Sequence, residues 1–125
     1  MNMIVAVGAG GAIGAVLRLL LGRGMLHLMG SGFPWGTLTV NILGSFFVGL
    51  LVGTLALRFS LSHEWQGFII IGVLGGFTTF SAFSLEVSLM IEKGDFSMAA
   101  LYGLGSMFIG VFALFIGLFS GRSLV

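Results

Sequence analysis

The sequence contains no cysteine, a single proline and very few charged residues. Without cysteine, the chain can form neither disulfide bonds nor thiolate metal sites. Only 7% of its 125 residues are charged, against about 25% in soluble domains, and the net charge of +1 is too small to indicate nucleic-acid binding. Hydrophobic residues make up 58% of the chain, more than a water-soluble core of this length can bury. The sequence therefore predicts an integral membrane protein.

Four apolar stretches are each long enough for a spanning helix, which needs about 20 residues. The predicted spans are residues 3–27, 37–57, 65–91 and 96–120. Because the segments between them are short, the spans must alternate in direction, with both termini on one side of the membrane. The first span lacks the basic n-region and polar cleavage stretch of a signal peptide, so we expect it to be retained. The prediction is an all-α fold with a single transmembrane domain, residues 1–125.

Glycine is abundant, with 22 residues, and many glycines are spaced four residues apart. The pairs at this spacing are Gly10/Gly14, Gly49/Gly53, Gly72/Gly76 and Gly117/Gly121. Small residues at such intervals let helix backbones approach each other in lipid. Residues 8–14 superficially resemble a dinucleotide-binding fingerprint, but Ile13 occupies the place of the third glycine and no βαβ unit surrounds the motif. We therefore predict helix packing for these glycines.

Positive charges are almost evenly divided between the two predicted sides of the membrane. Arg58 and Arg122 lie on the side of the termini, whereas Arg23 and Lys93 lie on the other, joined by Arg18 if it extends outward. Orientation normally follows a surplus of Lys and Arg in short cytoplasmic loops. Without a clear surplus, we expect the chain to insert in both directions, and two oppositely inserted copies could form an antiparallel dimer. A weak bias toward one orientation is the alternative.

Three ionisable or amide side chains stand out within the predicted spans, where such groups are costly and usually mark function. They are Arg18, Asn41 and Glu86. Asn41 shares a helix face with Thr37 and Ser45, and its amide offers two N–H donors to an anion; an interhelical hydrogen bond is the alternative. Glu86 could form a hydrogen bond across a dimer, orient the nearby backbone or carry a proton. Arg18 could draw anions toward the protein or extend to the membrane interface.

The strongest signal is the glycine- and threonine-rich stretch Gly75 to Thr79 in the third span. Two adjacent glycines and two threonines predict a local interruption of the helix. Non-helical backbone at membrane depth is tolerated only where protein or a polar cavity covers it, and its carbonyls can coordinate a cation such as Na⁺. On a dimer axis, Gly75 and Thr78 of both copies would supply the oxygens. A simple helix kink is the alternative.

Beyond the predicted interruption, Phe80 and Phe83 face the same way, with Thr79, Ser81 and Ser84 interleaved. An aromatic ring has a positive edge, so ring edges, an amide and hydroxyls together form a path of weak donors without a fixed cation. Such a path suits a small anion that must be bound and then released quickly. Packing or lipid contact is the alternative for both rings.

These motifs together resemble the Fluc (CrcB-like) fluoride channels of microbes. They are GGxxGAxxR at residues 10–18, PxGTLxVN at residues 34–41 and GGFTTFSxFSxE at residues 75–86. The resemblance covers essentially the whole chain. It implies a dual-topology antiparallel homodimer in the bacterial cytoplasmic (inner) membrane, exporting fluoride passively through two selective pores. It also implies a structural Na⁺ at the dimer centre, bound by the backbone carbonyls of Gly75 and Thr78.

The resemblance assigns roles to individual side chains as well. Its pore positions match Asn41, Phe80, Phe83, Tyr102 and Ser106, and its charged positions match Arg18 and Glu86. With the interleaved hydroxyls of Thr79 and Ser81, these residues form the predicted ion pathway. Two positions depart from the family: Ala82 stands where threonine is usual, and Gly110 stands where some members carry serine. Each change removes a hydroxyl, and the one at Ala82 is expected to reduce conduction.

A proton-coupled exporter of the small multidrug resistance type is the alternative function, because such exporters also have four short spans and dual topology. They depend on a glutamate in the first span, where this chain carries only Arg18 and Arg23 as charges. A non-transporting scaffold would leave Asn41 and the interleaved hydroxyls unexplained. An enzyme is not expected, because no nucleophile–base set is visible and the two histidines, His27 and His63, lie in or beside loops.

Overall fold

The computed structural model describes residues 2–55 and 61–124, and every regular element in these ranges is a helix. The first two elements are α1 (Met3–Met29) and α2 (Trp35–Leu55). The third span, His63–Glu92, is composed of α3 (His63–Gln66), a π-helical segment (Gly67–Leu74), α4 (Gly75–Phe77) and α5 (Ser81–Glu92). The last element is α6 (Phe96–Leu124).

The four predicted spans are confirmed as four helical stretches long and apolar enough to cross a membrane. α1 continues two residues beyond its predicted end, to Met29, and α6 continues to Leu124. Both helices extend beyond their apolar stretches because a helix can continue into the polar boundary layer of the membrane. Arg122, in the last turn of α6, is a residue suited to that layer. The predicted end of the second span and the adjacent Arg58 lie outside the described residues.

Local chemistry explains where the first span begins and ends. Asn2 Oδ1 accepts a hydrogen bond from the Ile4 N–H at 2.7 Å, as an N-cap side chain does. Gly30 follows the helix with a φ of 80°, which other residues rarely adopt, and its N–H donates to the Leu26 carbonyl at 2.9 Å. A second positive φ, 81° at Gly94, occurs in the short turn between α5 and α6.

Close backbone contacts join the spans in two pairs, α1 with the third span and α2 with α6. A Cβ atom on Gly14 of α1 would collide with the Val73 carbonyl, and one on Gly49 of α2 with the Leu114 carbonyl. Such contacts hold helices together in lipid. No hydrophobic force drives helix association there, because the lipid tails are as apolar as the side chains. The predicted packing role of these glycines is therefore confirmed.

The non-helical part of the third span lies later in the chain than predicted. Gly75 and Gly76 remain helical, and the helix continues to Phe77 before Thr78 turns extended, with φ −85° and ψ 158°. Gly76 serves close packing instead, because a Cβ on it would lie 2.6 Å from the Gly11 carbonyl oxygen. The interruption predicted for residues 75–79 is therefore present at Thr78 and Thr79 but not at the two glycines, and the residues between α4 and α5 are 78–80.

Candidate functional site

Asn41 of α2 binds the non-helical backbone through two hydrogen bonds. Its Nδ2 donates to the Thr79 carbonyl oxygen at 2.9 Å, and its Oδ1 accepts from the Thr79 N–H at 2.8 Å. Thr79 is only 9% exposed, so its peptide groups need partners that the interrupted helix does not supply. The interhelical hydrogen bond considered as an alternative for Asn41 is therefore present, and one N–H of the amide remains outside this contact.

A groove of about 410 Å³ lies beside Asn41. α2, residues 78–80, α5 and α6 contribute its walls. Five of the predicted ion-pathway residues line it: Asn41, Thr79, Phe80, Phe83 and Ser106. Its described lining includes no Lys, Arg, Asp or Glu. The groove therefore combines amide, hydroxyl and aromatic side chains without a fixed charge among its described lining residues.

Phe80 and Phe83 form the aromatic part of this groove, but they differ in their surroundings. Their ring centroids are 5.9 Å apart, with the ring planes inclined by 46°. Phe80 is 79% exposed on the protomer. Phe83 contacts the Tyr102 ring, with centroids 5.1 Å apart. Packing within the protomer therefore anchors Phe83, whereas the Phe80 ring, among the described residues, has only Phe83 as an aromatic neighbour.

The Ser106 hydroxyl is the least satisfied polar group of the groove. Its Oγ is buried and has no hydrogen-bond partner in the described part of the chain. A buried hydroxyl without a partner costs about 1–3 kcal/mol, so this group is suited to donate to a ligand. Gly110, one turn further along α6, also lines the groove, and a Cβ on it would lie 3.8 Å from the Ser45 Oγ.

Glu86 lies in a cluster of hydrogen bonds within the protomer. The Thr37 Oγ1 donates to its Oε2 and the Tyr102 hydroxyl donates to its Oε1, both at 3.0 Å. Tyr102 is 1% exposed and is absent from the lining of the 410 Å³ groove. The resemblance implied a Tyr102 donor beside Ser106. In this arrangement, however, the single hydroxyl proton of Tyr102 is donated to Glu86.

A second groove, of about 380 Å³, contains Arg18 and Arg23 of α1 and also reaches Thr79. Ala82 lines this groove and not the one beside Asn41. A threonine at position 82, which is usual in the family that the sequence resembles, would therefore place its hydroxyl in the groove that contains Arg18. Ser81 is exposed, and its Oγ lies 3.4 Å from the Thr79 Oγ1. Thr79 is the residue that both grooves share.

Two carbonyl oxygens beside the interruption lack the partners of a continuous helix. The Thr79 N–H, which would normally donate to the Gly75 carbonyl, donates to Asn41 instead. Among residues 2–55 and 61–124, no hydrogen bond reaches the Thr78 carbonyl. The same ranges hold no group of three or more His, Cys, Asp or Glu that could bind a metal.

Comparison with known proteins gives the family of the chain. Residues 5–118 match the family described as CrcB-like protein, Camphor Resistance (CrcB). The chain belongs to this family. Relatives of this CrcB-like protein bear the name Fluoride-specific ion channel FluC. The one from Phenylobacterium zucineum is 52% identical over 123 residues, which cover 98% of this chain and 97% of the relative.

Two further relatives carry the same name. The protein from Agrobacterium fabrum is 50% identical over 121 residues, or 97% of each chain. The protein from Rhizobium meliloti is 46% identical over 125 residues, the full length of both. The CrcB-like chain is accordingly a multi-pass bacterial membrane protein of a transport family, and it is not an enzyme.

The sequence did not reveal the role of Thr37 in this CrcB-like protein. Thr37 had been noted only for sharing a face with Asn41, yet it supplies one of the two hydrogen bonds to Glu86. The available signal was the coincidence of a carboxylate within a span and hydroxyls on neighbouring spans, because a carboxylate in a membrane needs donors. That signal does not reveal which hydroxyl is within reach.

Proposed function

We propose that this chain is a channel through which fluoride leaves the cytoplasm passively, lowering its concentration there. The relatives named as fluoride-specific channels support this, because they share about half of the sequence over nearly its full length. The observation that carries the proposal is the uncharged groove lined by Asn41, Phe80, Phe83 and Ser106. Weak donors can replace the water around an anion, and without a fixed cation they can also release it.

The groups that face the groove suit this task individually. Asn41 retains one N–H beyond its bond to Thr79, and Ser106 has a hydroxyl with no partner in the described residues. Phe80 and Phe83 add the positive edges of their rings. An anion moving along the groove would pass from amide and hydroxyl donors to ring edges, while no carboxylate among the lining residues repels it.

The functional unit is an antiparallel homodimer of two oppositely inserted copies. Two observations support this. The even division of Lys and Arg removes the usual bias in orientation, and the groove is open at the protomer surface, where Phe80 is 79% exposed. A second copy would cover each groove and separate it from lipid. One pore per protomer follows from the symmetry of such a dimer.

A structural Na⁺ lies between the two interrupted spans, held by the carbonyl oxygens of Gly75 and Thr78. Support comes from the free acceptors, since the Thr79 N–H bonds to Asn41 and the Thr78 carbonyl accepts no hydrogen bond among the described residues. Backbone oxygens are suitable ligands for a hard cation. The ion would supply a positive charge that holds the oxygens of both copies together.

The proton-coupled exporter is not favoured. Its mechanism needs a carboxylate in the first span, and α1 has none. Glu86 is the carboxylate of the third span that lies away from the span's two ends, but both of its oxygens accept hydrogen bonds, from Thr37 and Tyr102. A carboxylate engaged in this way is poorly placed to exchange protons with a substrate cavity.

Fluoride efflux from liposomes that contain the purified protein tests the proposal, with chloride efflux as the control. We expect fluoride to leave through the protein while chloride is retained. Equal efflux of both ions would refute fluoride selectivity. Absence of efflux, in the native chain and in Ala82→Thr, would refute the channel itself.

A further inference from the structure

The hydrogen bonds between Asn41 and Thr79 form a closed reciprocal pair. One side chain donates to the carbonyl oxygen at 2.9 Å and accepts from the N–H of the same residue at 2.8 Å. Among uncharged side chains, only a carboxamide places a donor and an acceptor side by side in this way. The two residues are 38 positions apart, so the pair is a tertiary contact between α2 and the third span.

Thr79 requires this contact because the interrupted helix provides no hydrogen-bond partners for its N–H and carbonyl groups. The extended conformation of Thr78 turns the following peptide away from the helical hydrogen-bond ladder. Thr79 is 9% exposed, and water is scarce at this depth in a membrane. Unpartnered peptide groups are strongly unfavourable there. Asn41 therefore replaces the hydrogen bonds that the interruption removes.

Thr79 in turn bonds to the first turn of α5. Its Oγ1 accepts a hydrogen bond from the Ala82 N–H at 3.1 Å, as a side chain at a helix N-terminus does. The orientation of the Thr79 peptide therefore determines how α5 leaves the interruption. Phe80 follows Thr79 directly in sequence, and Phe83 lies in the first turn of α5.

We propose that Asn41 is the positioning residue of the groove: its carboxamide fixes the Thr79 peptide, and through it the first turn of α5 and the rings of Phe80 and Phe83. The consequence for ion flux rests on the proposed function, whereas the hydrogen-bond pair does not. The amide N–H outside the pair leaves Asn41 free to meet an anion as well. The positioning role, however, exists without any anion.

Hydrogen exchange measured by mass spectrometry on the full chain in lipid nanodiscs, in fluoride-free buffer, tests this role. In Asn41→Ala, we expect the amides of residues 79–82 to exchange roughly tenfold faster than in the native protein. Asn41→Gln keeps both a donor and an acceptor and should restore part of the protection. Thr54→Ala is the matched control on α2, because the Thr54 Oγ1 donates only to the Leu51 carbonyl of its own helix, at 3.0 Å.

Unchanged exchange of residues 79–82 in Asn41→Ala would overturn the proposal, and so would equal acceleration in Thr54→Ala. A residue that acted only by touching the anion would leave exchange unaffected in fluoride-free buffer. If Asn41→Ala does not fold, Asn41→Ser gives the same comparison, because its shorter hydroxyl cannot bond to both groups of Thr79.

Fluoride efflux from liposomes, measured on the same variants, separates the two proposals. We expect efflux to fall at least about tenfold in Asn41→Ala and to recover partly in Asn41→Gln, in parallel with the exchange data. Absence of fluoride efflux from the native protein would refute the proposed function. The exchange measurement would then still decide whether Asn41 positions the Thr79 peptide.

Discussion

Phe80 and Phe83 illustrate how neighbouring residues of one type can differ in what holds them. Phe83 contacts the Tyr102 ring at a centroid distance of 5.1 Å, whereas Phe80 is 79% exposed on the protomer. Replacing each by isoleucine removes the ring edge, so we expect slower fluoride efflux from liposomes in both variants. Phe83→Ile should also lower the thermal unfolding midpoint in detergent more than Phe80→Ile does. Undiminished efflux in both variants would indicate that the rings only pack.

The Tyr102 hydroxyl has a structural partner that can be tested separately from its ring. Tyr102→Phe keeps the contacts with Phe33 and Phe83 but removes the hydrogen bond to Glu86. A hydrogen bond to a carboxylate contributes about 1.5–3 kcal/mol, so we expect a loss of that order in the free energy of unfolding. Ser88→Ala is the control, because the Ser88 hydroxyl donates to the Ser84 carbonyl of its own helix. A loss no larger than the control's would mean that the cluster contributes little.

Gly110 offers a way to add a donor to the groove without crowding it. A Cβ at this position meets only the Ser45 Oγ, at 3.8 Å, which is an ordinary contact. We expect Gly110→Ser to fold as well as the native chain and to increase fluoride efflux, because its hydroxyl extends the donors next to Ser106. Gly110→Ala is the matched control without the hydroxyl. Equal efflux from both variants would show that position 110 does not meet the ion.

At the scale of elements, composition predicted the helices well and the interruption only approximately. Hydrophobic stretches of spanning length are visible in any single sequence, so the four spans were predictable. Gly75 and Gly76 suggested where the third span weakens, but the same residue type also permits close packing, and Gly76 packs closely against Gly11 here. The π-helical segment Gly67–Leu74 was not predicted, because hydrogen-bond register leaves no clear mark on residue periodicity.

The sequence pointed to residues that line one groove, but it did not show how they are connected, and their role in ion passage stays a prediction. Asn41 stood out because an amide is rare inside a span. A sequence cannot show that its two polar atoms close on Thr79, since that depends on the separation of α2 and the third span. The same holds for Tyr102, whose hydroxyl was expected beside Ser106 but donates to Glu86.

The contact between α2 and α6 gives a sharp comparison of two glycines on one helix. A Cβ on Gly117 would collide with the Phe46 carbonyl, whereas one on Gly105 meets nothing within 4 Å. Gly117→Ala should therefore destabilise the protein by about 1–3 kcal/mol through overpacking. Gly105→Ala should be neutral or stabilising by up to about 1 kcal/mol through helix propensity. Thermal unfolding in detergent measures both, and similar effects would contradict the packing role.

At the scale of the whole molecule, the proposed dimer makes orientation in the membrane testable, because in that proposal a second copy covers the groove that is open on one protomer. In an antiparallel dimer, the two copies present the same groove in opposite directions, so the inserted population must contain both orientations. If all copies were inserted in one orientation, no two-fold axis in the membrane plane could relate them, and their interrupted spans would lie side by side in the same direction. Topology therefore decides whether the carbonyls of Gly75 and Thr78 from two copies can meet.

The absence of native cysteine makes topology directly measurable. Single cysteines introduced as Ser31→Cys, before α2, and Ser123→Cys, at the end of α6, lie on opposite sides of the membrane in any one orientation; both positions are exposed. With balanced positive charge, we expect a membrane-impermeant maleimide to label about half of each variant in sealed cells. Full labelling of one variant and none of the other would refute dual topology, and with it the antiparallel dimer. A variant that adds two lysines beside Ser31 should shift the labelling toward one orientation and reduce fluoride efflux, because oppositely inserted partners then become scarce.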